Sequence, residues 1–292
     1  MPRRDIVFKT SDRVTLRGWF FTPSSSSGKL PCLVMAHGFA AQNEMGLGKF
    51  AEYFASNSPV TVLAYDNRCI GASDGEPRRE IIPSLSDYSD DITSYTGGHV
   101  LTVSAVNRRV KAVISQVPLI SGWETFHRIH RSNFIPGAKK VSQNEGAFSD
   151  EVEIEYIDRQ ARAKGEEPSR LPVVDKDPHA LSVLPSEGSV VGYSSGLPSG
   201  WINDVTLQRL EAFRAYEPVG FIEHIYPTPL LMVVADTDVV TTTDLTLNAF
   251  AWAKEPKQLH LLPGGHFDLY DGHIYDENIS IQIKFVEDRL LK

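Results

Sequence analysis

T-S-Y-T-G-G-H-V-L, residues 93–101, is the stretch on which the reading of this chain turns. A serine followed by Tyr-x-Gly-Gly and an apolar run is the second half of a strand–turn–helix. In that motif the serine sits on a tight turn, and the glycines let the following helix lie close against a sheet. The first half would be an apolar strand, then Gly and one residue. Asp90-Asp91-Ile92-Thr93 stand there instead, with no glycine and no apolar run.

Working outward, the flanks read as alternating strands and helices. Residues 5–10 and 13–22 alternate as antiparallel strands. Residues 31–36 are continuously apolar and run into His37-Gly38-Phe39, the pattern of a strand covered on both faces. Residues 44–56 have helical spacing with Leu47, Phe50 and Phe54 on one face, and 59–66 form the next strand, so 31–66 is a βαβ crossover. Helices are expected at 84–95 and 97–106, and a strand at 109–117. A doubly wound sheet needs one more buried strand between Asp66 and Arg109, and none is found. The expected fold is α/β, a doubly wound and mostly parallel sheet with one central strand missing, the one before Ser94. Residues 119–225 break the rhythm with helices near 121–131, 148–164 and 203–216 and turn-rich sequence at 165–200, as suits an inserted helical cap. The rhythm returns with a strand at 229–235, a helix at 243–254, a strand at 258–262 and a last helix at 276–291. The core is therefore expected at 1–118 and 226–292, with the cap at 119–225.

The 292 residues suit one large domain with a cap. A net charge of −8, with no basic tract, argues against nucleic acid as a partner. No run of 18 apolar residues occurs, and the N-terminus has no apolar leader, so no integral membrane segment is expected. Two cysteines, Cys32 and Cys69, make no disulfide framework, and the cytosol is the expected compartment. There is no phosphate loop, no dinucleotide fingerprint and no metal spacing around His266, Asp268 and His273, so no cofactor and no metal are expected.

Acyl transfer by a serine needs a base for the hydroxyl proton, a carboxylate to orient the base, and N–H donors for the oxyanion. Ser94 is the candidate nucleophile. Asp236 and Asp238 follow the strand 229–235, at the sheet edge where ligands bind. Asp238 is the preferred acid, because Asp236 stands nearer the strand end and suits a turn cap. His266, in Pro-Gly-Gly-His-Phe-Asp-Leu-Tyr after the strand 258–262, is the candidate base. The backbone N–H groups of Phe39 and Tyr95 are the candidate oxyanion donors. His37 reads as structural, and Arg68 and Ser73 as braces of the loop 66–75. Gly192-Tyr193-Ser194-Ser195-Gly196 satisfies a serine motif literally, but it lacks the strand before it and a helix-opening sequence after it. His127, Arg128, His130 and Arg131 read as a solvated face, and Glu151–Asp158 as a charged helix face.

V-M-A-H-G-F at 34–39, Y-D-N-R-C-I-G-A-S-D-G at 65–75, S-Y-T-G-G-H at 94–99, A-D-T-D at 235–238 and P-G-G-H-F-D-L-Y at 263–270 resemble the α/β-hydrolases. More narrowly, the chain resembles the fungal esterase/lipase-like polyketide transferases of secondary metabolism, including those of Alternaria host-selective toxin biosynthesis. The resemblance implies a Gly-x-Ser-Tyr-x-Gly-Gly elbow, with the nucleophile at Ser94, the acid at Asp238 and the base at His266. It implies a serine acyl hydrolase or acyltransferase acting on a small-molecule ester, thioester or polyketide acyl group. The chain departs from the pattern in lacking the strand and Gly-x before Ser94, and in carrying Cys69 where the family has glycine. The first departure leaves an alternative, a catalytically impaired member that binds an acyl ligand or a partner. The peroxisomal address of toxin relatives is not matched by Leu290-Leu291-Lys292. The oligomeric state is left open.

Overall fold

Continuous apolar runs become buried strands, and amphipathic stretches become the helices that cover them. The computed structural model describes residues 3–24, 28–79, 94–131, 147–177, 180–194 and 197–292. The strands are β1 (Arg3–Lys9), β2 (Thr15–Phe21), β3 (Cys32–Ala36), β4 (Thr61–Tyr65), β5 (Val113–Gln116), β6 (Arg170–Leu171), β7 (Val205–Thr206), β8 (Leu230–Ala235) and β9 (Lys257–Leu262). The α-helices are α1 (Leu47–Asn57), α2 (Ser94–Val106), α3 (Gly122–Arg131), α4 (Ala147–Ala163), α5 (Glu187–Gly192), α6 (Leu207–Arg214), α7 (Thr243–Trp252) and α8 (Gly272–Leu290). The helix expected at 84–95 falls, up to residue 93, outside the described residues.

The strands pair as two half-sheets, β1-β2-β4-β3 and β5-β8-β9, with β6 and β7 as a separate small ribbon. β3 pairs parallel with β4, and β8 pairs parallel with both β5 and β9. All six residues of β8 are buried, as a strand covered on both faces requires. Its side chains alternate between two cores. Leu231, Val233 and Ala235 join Phe50, Phe54, Tyr275 and Phe285 of α1 and α8. Leu230, Met232 and Val234 join Val100, Leu101 and Val103 of α2 and Ala249 of α7. Helices therefore cover both faces, and the fold is the doubly wound α/β arrangement.

Among the described residues no hydrogen bond joins β3 to β5, and no described strand lies between the two half-sheets, where the sequence lacks the expected central one. A cavity of about 220 Å³ lies at this seam, walled by Cys32, Leu33 and Val34 on one side, Ala112 and Ile114 on the other, and Phe285 from α8. The first core runs across the seam, and the rings of Phe50 and Tyr275 meet edge-on at 4.8 Å to clamp α1 to α8.

Between β5 and β8 the chain packs a further core over the end of β3. Phe126, Val173, Leu184, Tyr193, Leu207 and Phe213 gather around Phe39, Ala40 and Tyr95. The charged face expected at Glu151–Asp158 is corrected at two positions. Glu155 and Asp158 are buried, and each is paired with an arginine, Arg214 at 2.6 Å and Arg162 at 2.7 Å. Burial raises the Glu155 carboxyl above its ordinary value, against the pull of Arg214. Arg128 also has a partner, Asp244 at 2.6 Å, and the His127 ring lies against Trp123 with centroids 4.2 Å apart.

Candidate active site

α2 begins at Ser94, whose φ of 56° is the left-handed conformation of a sharp turn. Such a φ at a non-glycine residue is a feature of strained functional turns. Two glycines set the position of the helix. A Cβ on Gly97 would stand 2.8 Å from the Gln116 carbonyl oxygen, and one on Gly98 would stand 2.1 Å from that of Leu119. Only glycine allows α2 to press this closely on β5 and the chain after it. The Leu119 N–H in turn donates to the Ser94 carbonyl at 3.0 Å.

Asp238 lies just beyond β8 and His266 just beyond β9, at the carboxyl ends of two neighbouring parallel strands. The Ser94 hydroxyl lies 3.0 Å from His266 Nε2, and His266 Nδ1 lies 2.8 Å from Asp238 Oδ2. A carboxylate only accepts, so Nδ1 carries the imidazole proton and the Nε2 lone pair faces the hydroxyl. Both Asp238 and His266 are buried. The other carboxylate oxygen accepts from the N–H groups of Val240 at 2.8 Å and Thr241 at 2.9 Å. The Thr241 hydroxyl stands 2.9 Å from Oδ2 and 2.9 Å from the Val117 carbonyl. Thr241 was missed in the sequence. The signal was there, since an Asp at the head of a turn captures the N–H groups two and three residues on. Asp236 accepts from the Gly264 N–H at 2.8 Å, which ties the turn after β8 to the loop after β9.

Tyr95 lies in the first turn of α2, where N–H groups have no intrahelical acceptor. The Thr96 hydroxyl donates to the His37 carbonyl and ties that turn to the one following β3, which carries Phe39. His37 is buried. Its Nδ1 meets the Gly38 carbonyl at 3.0 Å, and its Nε2 accepts from the Asn67 N–H at 3.1 Å. Burial pulls its pKa below the ordinary value, against the pull of Asp66. Asp66 braces the loop by accepting from the N–H groups of Asn43 at 2.8 Å and Ala72 at 2.9 Å. Ser73 donates to the Asp66 carbonyl at 2.6 Å, and Arg68 reaches Asp12 at 2.9 Å. Cys69 has φ 66°, a left-handed conformation more usual for glycine.

A cavity of about 360 Å³ opens on Ser94 and His266, walled by Met45, Leu47, Phe50, Phe267 and Tyr270. A second void of about 20 Å³ touches the same two residues and is lined by Phe39, Leu119, Leu184, Phe213 and Val240. Ser194 is placed elsewhere, beyond the end of α5, where its N–H donates to Val191. Among the described residues there is no group of three His, Cys, Asp or Glu side chains that could hold a metal. Cys32 is exposed and Cys69 buried, and no disulfide joins them. No described helix is long and apolar enough to cross a membrane.

No protein-family model matches the chain. A polyketide transferase of a Penicillium species is 32% identical, over 98% of this chain and 97% of the relative. That alignment spans 311 positions, more than the 292 residues here, so the relative carries residues that this chain lacks. A thiohydrolase of Eupenicillium brefeldianum is 27% identical, over 98% and 94%. Among solved structures, the α/β-hydrolase GrgF of Penicillium sp. sh18 superposes with a TM-score of 0.79 at 28% identity, covering the whole of both chains.

Proposed function

Because the chain belongs to the family of polyketide transferases with the α/β-hydrolase fold, we propose that it is a serine acyl hydrolase or acyltransferase acting on an ester, thioester or polyketide acyl group. The relatives named polyketide transferase and thiohydrolase support this class of substrate and a place in fungal secondary metabolism. In this reading Ser94 Oγ attacks the acyl carbonyl while His266 Nε2 takes its proton, and Asp238 holds the imidazole and balances its charge. The Phe39 and Tyr95 N–H groups receive the oxyanion. His266 then hands the proton to the leaving thiol or alcohol, which departs as the acyl-enzyme forms. Water or an alcohol, deprotonated by His266, releases the acyl group and restores Ser94. The 360 Å³ cavity would hold the acyl chain, residues 119–225 would form the cap over it, and water exclusion by that cap would decide between hydrolysis and transfer.

The observation that carries the proposal is the unbroken hydrogen-bonded line from Ser94 through His266 to Asp238, on a serine held at φ 56°. The lack of a described strand between β3 and β5 favours the second reading, a member that binds an acyl ligand or partner without turnover. A fluorophosphonate probe with mapping of the adduct by mass spectrometry separates the two. Labelling at Ser94 that is lost in Ser94→Ala and kept in Ser194→Ala supports the enzyme, and an unlabelled wild-type protein supports the binding reading. Cytosolic residence belongs to the same proposal, and a fluorescent fusion gathered in peroxisomes would replace it.

A further inference from the structure

We propose that Tyr193 is a positioning residue for the oxyanion turn, fixing the Phe39–Ala40 peptide through its hydroxyl. This rests on the serine reading above. Ala40 has φ 52°, a left-handed conformation that a non-glycine residue keeps only when its surroundings hold it. The carbonyls on either side of that residue are both held. The Tyr193 hydroxyl donates to the Phe39 carbonyl, and the Trp201 indole N–H donates to the Ala40 carbonyl at 2.8 Å. The Arg209 guanidinium lies over the rings of Phe39 and Tyr95, at 4.9 and 4.4 Å from their centroids. These are the two residues that carry the proposed oxyanion N–H groups. All three holding side chains come from the segment between β5 and β8.

The same tyrosine reaches the base. Its ring meets that of Phe267 edge-on at 5.7 Å, and Phe267 in turn lies 4.9 Å from the His266 ring. Tyr193 is buried, and burial pushes its phenol pKa up, so it stays a donor across the working pH range. The motif Gly192-Tyr193-Ser194 thus contributes its tyrosine, not its serine. The segment is more than a lid, because it supplies the contacts that keep the oxyanion donor in place.

Tyr193→Phe keeps the ring contacts and removes only the hydroxyl. The expected result is a kcat on a p-nitrophenyl ester about tenfold lower, the equivalent of one lost hydrogen bond, with KM unchanged. Fluorophosphonate should label Ser94 more slowly by the same factor, since its adduct places an oxygen at the oxyanion position. A role confined to folding would lower the melting temperature and leave both rates alone. If Tyr193→Phe fails to fold, Trp201→Phe tests the same turn at Ala40. Wild-type labelling at Ser94 with Tyr193→Phe reacting equally fast overturns this inference alone. Wild-type protein unlabelled at Ser94 overturns the serine reading, and the inference with it.

Discussion

Ser94 keeps a left-handed backbone that costs a non-glycine residue about 1–2 kcal/mol, and the bond from Leu119 and the close seat of α2 hold it there. If the serine reading is right, His266→Ala lowers esterase turnover by about 10⁴–10⁶, since triad members act as a unit. Its melting temperature should stay near wild type, and activity within a few-fold of wild type would remove His266 from the mechanism. A second residue sets a pH response. His99 Nδ1 meets the Tyr216 hydroxyl at 3.0 Å, and burial lowers its pKa to about 4. An unfolded histidine takes up its proton near pH 6.5, the folded one only near 4. Stability is therefore full above pH 6.5 and falls by up to about 1.4 kcal/mol per pH unit between 6.5 and 4. His99→Gln should flatten that slope in urea melts run across this range, and an unchanged slope would assign it to other groups. At this scale the sequence reveals Asp238 and His266, because each directly follows an apolar strand. It does not reveal Tyr193 and Trp201, whose partners stand 154 and 161 positions away. Contacts of that span leave no local pattern.

Among the elements, α2 carries the most. It is buried on all sides, so its surroundings and not its own sequence pattern orient it. Gly98→Ala would set a methyl 2.1 Å from a backbone oxygen and 3.0 Å from Pro218, neither of which yields readily. The expected cost is about 1–3 kcal/mol in a urea melt, as for overpacked cores, together with loss of probe labelling as Ser94 moves. A variant that melts and labels like wild type would show that α2 has room to shift. The strands of the half-sheets were legible as apolar or alternating runs, and α1 as a face of Leu47, Phe50 and Phe54, all buried. β6 and β7 were not, being two residues long. The turned face of α4 was misread because a carboxylate beside an unseen arginine looks like any solvated charge, and Arg214 reaches Glu155 from 59 positions away.

In the whole molecule, Ser94, Asp238 and His266, the proposed nucleophile, acid and base, all belong to the β5-β8-β9 half, with Ser94 on the helix that packs against β5. Phe39 belongs to the other half, at the end of β3. An apolar strand ending in Gly-x, inserted before Ser94, would give β3 and β5 a common neighbour. With about 1–3 kcal/mol at stake for each buried backbone group left unpaired, the insertion should raise the urea midpoint clearly and increase Ser94-dependent ester hydrolysis. A midpoint equal to or below that of the present chain would show that the halves need no strand between them. The absence of Gly-x and an apolar run before Thr93 made this interruption legible. How the halves stay together was not, since it depends on α1 meeting α8 across 225 positions, through Phe50 and Tyr275. The 220 Å³ cavity at the seam also sets where the molecule yields first, since the exposed Cys32 puts part of its wall at the surface. Urea solvates apolar and peptide groups alike and reaches those walls without prior unfolding. Low urea should therefore part the two halves there first, loosening Phe39 from the proposed triad before either half loses its own strands.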